Sequence, residues 1–542
     1  MWITSVDIQN FRCIGSLHLK FDRGMNTLVG ENSVGKSSLF MAISKAIDSA
    51  AANNLQFGEG DLRYGKLNGN ELKVSCQFEL NEQEQRQLLE RMLSSPIAVA
   101  ERESMYSKLG NYLRSIEIGI IWNEVDKFIY GKIGRLFLQQ GWVSNKIRQG
   151  GTHRGEFHDL LKNLSTVTDF ESKVWSVDGI WRADDILQRV SQLIKSYFKT
   201  FNEFRVRPVV SSRSKAMEDL VGTEVSSVLL NLKNHPELKS RRMYKRICVE
   251  FSHFFPSLTI ESVDTGPGGG GANVQFIEEG KDWPIPLANI GAGIAELLTF
   301  LTNLVAQEGN IYVIEEPEMH LHSHAKRQLH TLIKESSRRN QIFIITHDEH
   351  FIDFDNMFGL LRLFLTEDGT QIASIPANTP PELMGQLSTA LKDVSKREAV
   401  FARAVLLVED ESQQKFVLGC ANKLSQNLDR AGVSVIFVDG NDAFKPYITL
   451  VKSLKIPYIC LRDKYWGSGS TRPPDIFRAL GCELEKYLEQ AGLGTMLKEA
   501  RGKVGVGRSK QRIAEYVANN IEEDQVPPLF SQLITDVMAI AK

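Results

Sequence analysis

The chain has 542 residues, and its 64 Lys and Arg nearly balance 66 Asp and Glu, for a formal net charge of −2. Bulk electrostatics therefore cannot drive binding to nucleic acid, and any such contact must come from local patches. The length gives room for roughly three or four domains, and Cys13, Cys76, Cys248, Cys420, Cys460 and Cys482 form no C-x-x-C pair, which argues against structural zinc or disulfides and for a reducing, cytoplasmic setting.

Met1 opens directly into the strand-like Trp2 to Ile8, so no leader is expected. The run Gly30-Glu31-Asn32-Ser33-Val34-Gly35-Lys36-Ser37 is a complete G-x-x-x-x-G-K-S phosphate loop between a predicted strand, Met25 to Val29, and a predicted helix, Lys36 to Ile47. The glycines let successive backbone N–H groups turn inward around phosphate oxygens. Lys36 reaches the β/γ-phosphates, and Ser37 ligates Mg²⁺ at a positively polarised helix N-terminus. Asn32, Gly35 and Ser38 complete the expected contacts to ATP.

An insertion follows, richer in charged residues and helix formers, roughly Leu80 to Phe198. Asn81 to Ser94 is patterned as an amphipathic helix with Leu88, Leu89 and Met92 on one side, and no heptad run is sustained. The chain returns at Arg205 to Arg213, a predicted strand with basic ends. Lys239 to Arg246 is the densest basic run, interleaved with Tyr244, and suits either a phosphate backbone or a solvated helix face. Gly266 to Gly271 reads as a flexible hairpin loop between strands near Ser257 to Val263 and Asn273 to Glu278.

Asn289-Ile290-Gly291-Ala292-Gly293 precedes an apolar helix from about Ile294 to Ala306, which is interrupted by Glu296 and too short to span a bilayer, so no membrane partner is expected. The apolar strand Ile311 to Ile314 then ends in Glu315-Glu316-Pro317-Glu318, the pattern of a Walker B strand. A strand buried in a parallel sheet delivers its terminal acids to the crevice at the sheet's carboxyl end. There Glu315 holds Mg²⁺ through water, and Glu316 orients or deprotonates the attacking water. His320, His322 and His324 follow at two-residue spacing, but no Cys or acid completes a tetrahedral zinc set. A third strand, Gln341 to Ile345, ends in Thr346-His347-Asp348.

The order of phosphate loop, glycine loop, acidic strand and strand-ending His resembles the ABC-type ATPases. That resemblance implies that His347 senses the γ-phosphate. It also implies that Gly291 and Gly293 belong to a signature loop covering ATP held by another subunit, so that the protein is at least a homodimer. Glu318 to His322 is similar to the dimer-contacting segment of the class. Gly-Ala-Gly replaces the usual Ser-Gly-Gly-like core, which leaves phosphate contact to backbone N–H groups and Asn289.

After Thr379-Pro380-Pro381 and a helical linker a second α/β domain begins. The strand Ala404 to Val408 leads to Glu409, the strand Val433 to Val438 ends in Asp439-Gly440, and the strand Pro457 to Leu461 ends in Arg462-Asp463. Carboxylates gathered at one sheet edge suit a hard divalent cation. This domain resembles Toprim. The whole layout, α/β throughout with an N-terminal ABC-type ATPase interrupted by a helical insertion and a C-terminal Toprim domain, resembles the OLD (overcoming lysogenisation defect) family of ATP-dependent endonucleases. The expected segments are 1–80 and 199–380 for the ATPase, 81–198 for the insertion, which forms an arm or a dimer contact, and 400–542 for Toprim.

The family pattern is matched by Glu409, Gly440, Asp463 and Leu484-Glu485, with Lys510 as the candidate for its basic helix start. Glu409, Asp463 and Glu485 are thus the expected ligands of Mg²⁺ or Mn²⁺, and Lys510 the group stabilising charge on the scissile phosphate. The sequence departs from the pattern at Asp410, where Gly is usual, and at Gln413 and Tyr465, where acids are usual; Asp410, Glu411, Asp439 or Asp442 are candidate substitutes, or the site holds one metal rather than two. The resemblance implies an ATP-regulated, metal-dependent DNA endonuclease in anti-phage defence, sometimes beside partners such as a reverse transcriptase. The alternative is a nucleotide-gated DNA-binding or assembly ATPase with a non-cleaving Toprim domain.

Overall fold

A computed structural model describes residues 1–52, 54–65, 67, 70–92, 114–124, 126–133, 136–143, 146–148, 183–200, 215–264, 272–319, 321–440, 443–463, 476–504 and 510–541. These divide into two compact units. The first comprises 1–28, 32–353 and 363–371, and the second comprises 29–31, 354–362 and 372–542.

The first unit holds an antiparallel sheet in the order Ile14–Lys20, Trp2–Phe11, Leu72–Glu79, Ser115–Trp122, Asp126–Ile133, Leu136–Val143, Lys146–Arg148. This corrects the expectation of a helical insertion. Helices Glu82–Met92 and Ala183–Tyr197 do open and close it, but the strands between them extend the sheet. The reason is legible in Ser115–Trp122, where Ile116, Ile118, Ile120 and Trp122 alternate onto one buried face, a period of two that no helix can satisfy. The amphipathic helix expected at 81–94 is Glu82–Met92 among the described residues.

Beside it lie four parallel strands in the order Met25–Val29, Gln341–Ile345, Ile311–Glu315, Phe198–Thr200. The middle two are apolar and buried, as strands covered on both faces must be. Helix Lys36–Ala52 follows the first strand and runs about a turn longer than expected, burying Leu39, Phe40, Ile43, Ala46 and Ile47. The hairpin Leu258–Asp264 with Ala272–Glu278 pairs antiparallel in the expected place. The glycine loop between its strands lies outside the described residues, as does the predicted strand Arg205 to Arg213. The basic run sits on helix Leu238–Phe254, whose buried residues are Ile247, Phe251 and Phe254.

The second unit is built on a parallel sheet in the order Val433–Phe437, Ala404–Val408, Tyr458–Arg462, Phe477–Ala479. Ala404–Val408 is central and wholly buried. Helix Glu411–Lys423 rises directly from it and packs on helices Lys510–Asn520 and Pro528–Ile540, with Phe416 edge-on to Phe530. Glu409 and Asp463 leave adjacent parallel strands at the same end, which is the placement that gathers a site.

Candidate functional sites

The nucleotide-site residues are brought together in the first unit. Gly35 takes φ +104°, and a Cβ there would meet Thr370 Oγ1 at 2.8 Å and Cys13 Sγ at 2.9 Å, so the loop requires glycine on both counts. Lys36 is buried. Ser37 Oγ donates to Glu315 Oε2 at 3.1 Å, so the hydroxyl expected on Mg²⁺ and the acid expected beside it are already in contact. An oxygen pair at a helix N-terminus is the donor set that Mg²⁺ with a nucleotide phosphate takes, and the residues present fit it.

Glu316 adopts φ +49°, a left-handed conformation that costs a non-glycine residue about 1–3 kcal/mol, and its N–H donates to the Ile345 carbonyl at 2.7 Å. That bond ties the acid pair to the end of the histidine strand. Burial holds the His347 imidazole below the usual histidine range, the Lys36 charge pushes it the same way, and Glu316 opposes them. A ring that feels both a cation and a carboxylate takes up a proton more readily when further negative charge is added nearby. Glu318, within the segment expected at a dimer contact, accepts Thr346 Oγ1 at 2.9 Å and the His347 N–H at 3.0 Å on its carboxylate. It thereby fixes the turn that carries His347, with its own pKa raised chiefly by burial. No spacing rule in the sequence points to that role.

The glycine loop is exposed at Asn289 and Gly291, and its helix is Ala292–Ala306, with Gly291 as N-cap and no side-chain cap. The helix starts two residues earlier than expected, which places Gly293 in its first turn. Its leading N–H groups lack side-chain acceptors, the arrangement that suits an anion. Of the histidine trio, His322 Nδ1 caps helix Ser323–Ser336 through the Ala325 N–H at 3.3 Å and His324 lies against Arg327 at 2.7 Å; His320 is outside the described residues.

The second site lies in a cleft of the Toprim-like unit lined by Asp410, Asp463, Glu483, Glu485 and Lys510. Glu409 is 8% exposed, and its Oε2 accepts the Asp463 N–H at 2.8 Å. Gln413, fully buried, bridges the pair: its Oε1 accepts the Glu409 N–H at 2.9 Å and its Nε2 donates to Asp463 Oδ1 at 2.6 Å. Asp410 caps the same helix by accepting the Gln413 N–H at 2.9 Å. Asp463 is pushed up to about 6, first by burial and then by the Glu409 charge. Lys510 Nζ reaches Glu483 at 3.0 Å, which raises its pKa, and Arg501 holds Glu485 at 2.5 Å. A crowded carboxylate pair that resists its own charge is the donor set a divalent cation relieves, so the residues present fit one.

Asp463, Glu485 and Lys510 line one cleft, Glu409 adjoins it through the Asp463 N–H, and Glu483, beside the Leu484-Glu485 motif, is a further acid in the lining. Asp439 pairs instead with the buried Lys396, so among the substitutes weighed for the missing acids it is already engaged. Asp442 and Tyr465 lie outside the described residues.

Comparison with known proteins accords with this geometry. The family described as AAA ATPase domain matches residues 1–136 and 156–352, well over half of the chain, and the family described as overcoming lysogenization defect protein-like, TOPRIM domain, matches 400–464. The chain is a member of the OLD family of ATPase–Toprim proteins. It is 29% identical over 197 residues to an OLD nuclease of Thermus scotoductus, 34% of this chain and 37% of that one. It is 25% identical over 238 residues to an uncharacterised protein of Methanocaldococcus jannaschii, 44% of this chain and 29% of that one. The chain thus spans about a third of the length of the curated relatives it matches. Among solved structures, an SMC head bound to the C-winged helix domain of ScpA aligns with 70% of this chain and 98% of its own at 15% identity and a TM-score of 0.38. The six cysteines of this OLD-family chain are free, and no helix among its described residues is long and apolar enough to cross a membrane.

Proposed function

We infer that this OLD-family chain is an ATP-hydrolysing, metal-dependent DNA endonuclease. The observation that carries the reading is the gathering of Asp463, Glu485 and Lys510 on one cleft, with Glu409 bonded to the Asp463 N–H beside it, in a unit other than the one bearing Lys36, Ser37 and Glu315. The domain boundaries that go with it are 1–80 and 199–380 for the ATPase, 81–198 for the insertion and 400–542 for the nuclease domain.

At the nucleotide site Asn32, Gly35, Lys36, Ser37 and Ser38 bind the phosphates and Ser37 with Glu315 holds Mg²⁺. Glu316 orients the attacking water and His347 follows the γ-phosphate. Gly291 and Gly293 of a second copy close over the nucleotide, so the working form is a homodimer or larger. At the other site Glu409, Asp463 and Glu485 hold Mg²⁺ or Mn²⁺, which supplies Lewis-acid stabilisation of a phosphodiester and of its leaving oxygen. Lys510 adds a compact positive charge beside the phosphate. DNA is the substrate and the cytoplasm the setting, and family resemblance supports an anti-phage role with a defence partner such as a reverse transcriptase.

The test is nicking of supercoiled plasmid by the purified full chain with Mn²⁺. Asp463→Ala should cut the rate on the order of 10²-fold or more. Equal rates for parent and variant would remove this cleft as the nuclease site. Gln413, an amide among carboxylates, favours one other reading, a nucleotide-gated DNA-binding ATPase, and that reading expects no nicking by either protein.

A further inference from the structure

Gln413 is fully buried beneath the acid pair, and both ends of its amide are committed, to the Glu409 N–H and to Asp463 Oδ1. The Nε2 end presents N–H to Asp463 Oδ1, so the charge it directs at the carboxylates is partially positive. With Glu409 Oε2 taken by the Asp463 N–H, Glu409 Oε1 and Asp463 Oδ2 have no hydrogen-bond partner among the described residues. Around them Asp410 Oδ1 is held by the Gln413 N–H, Glu483 by Lys510 and Glu485 by Arg501. Two such carboxylate oxygens on neighbouring strand ends, with Glu485 across the cleft, match one hard cation whose remaining positions are filled by water. A second cation would need further negative oxygen where the Gln413 amide donates instead.

We propose that Gln413 limits the acid cleft to a single divalent cation, by placing a neutral hydrogen-bond donor where a carboxylate would admit a second. This rests on the reading above that the cleft takes a divalent cation. A backbone acceptor role comes with it: the same side chain anchors the Glu409 N–H, so Gln413 is a positioning residue for both Glu409 and Asp463.

The experiment is calorimetric titration of the nucleotide-free full chain with Mn²⁺ alone, counting only the equivalents that Asp463→Ala removes. One equivalent is expected for the parent, two for Gln413→Glu, and one for Gln413→Met, which keeps the length and stays neutral. Two equivalents in the parent, or still one in Gln413→Glu, would overturn the proposal while leaving the cation reading in place. None in the parent and in Gln413→Glu would instead overturn the reading of the cleft itself, and the proposal with it. Circular dichroism and ATP hydrolysis confirm that each variant is folded; should Gln413→Glu not fold, the counts for the parent and Gln413→Met carry the test, any number but one in either being contrary.

Discussion

At the scale of single residues, the chemistry rests on charges placed where they are resisted. Asp463 prefers its proton because it is buried beside Glu409. A carboxyl whose folded pKa is raised contributes stability that is fully present below its ordinary value of 3.8 and is lost as pH rises through about 6. In chelated buffer, Asp463→Asn should therefore melt above the parent by a few degrees at about pH 8, with the gap shrinking towards about pH 5. A flat or inverted gap in scanning calorimetry would contradict the burial of this acid. Glu409 and Asp463 are legible in the sequence because each follows an apolar strand whose pattern is plain, whereas Lys510 comes only from the family resemblance. The bridge made by Gln413 was visible only as a departure, since nothing in a sequence tells which way an amide points, and Glu318 gave no signal because its partners lie 28 and 29 positions away.

Elements bring those residues into register. Helix Glu411–Lys423 carries Gln413, helix Lys510–Asn520 carries Lys510, and they approach closely at Gly419, where an added Cβ would come 2.4 Å from the Ala518 Cβ. That separation is below any real contact, so Gly419→Leu must push the helices apart. The expected loss is about 1–3 kcal/mol, read by denaturant melting of the second unit. Cleavage should fall with it as Lys510 withdraws from the cleft. A Gly419→Leu protein as stable and as active as the parent would show that the spacing does not matter. Strands ending in acids, and the phosphate loop, were readable because a buried parallel strand is a continuous apolar run. The insertion reads as helical when its charged residues and helix formers are weighed ahead of the period-two alternation of Ile116, Ile118, Ile120 and Trp122.

For the whole molecule, the proposed function joins two chemistries in one chain of the OLD family. Helix Ala292–Ala306 begins at the exposed Gly291 with no side-chain cap, an arrangement that suits an anion such as the nucleotide phosphate of a second copy in the proposed function. ATP should therefore draw two copies together, most durably in Glu316→Gln, where turnover stalls with nucleotide held. Light scattering at micromolar protein should give a dimer mass for that variant with ATP, and a strict monomer under every condition would refute assembly in trans.

The central claim is that separate sites hydrolyse ATP and cut DNA. It is met most directly by measuring plasmid cleavage and ATP hydrolysis side by side in the parent, Glu316→Gln and Glu409→Ala. The account predicts that Glu316→Gln loses ATP turnover, whereas Glu409→Ala keeps it and loses cleavage on the order of 10²-fold or more. Cleavage that survives Glu409→Ala unchanged, or ATP hydrolysis that collapses together with it, would contradict the account.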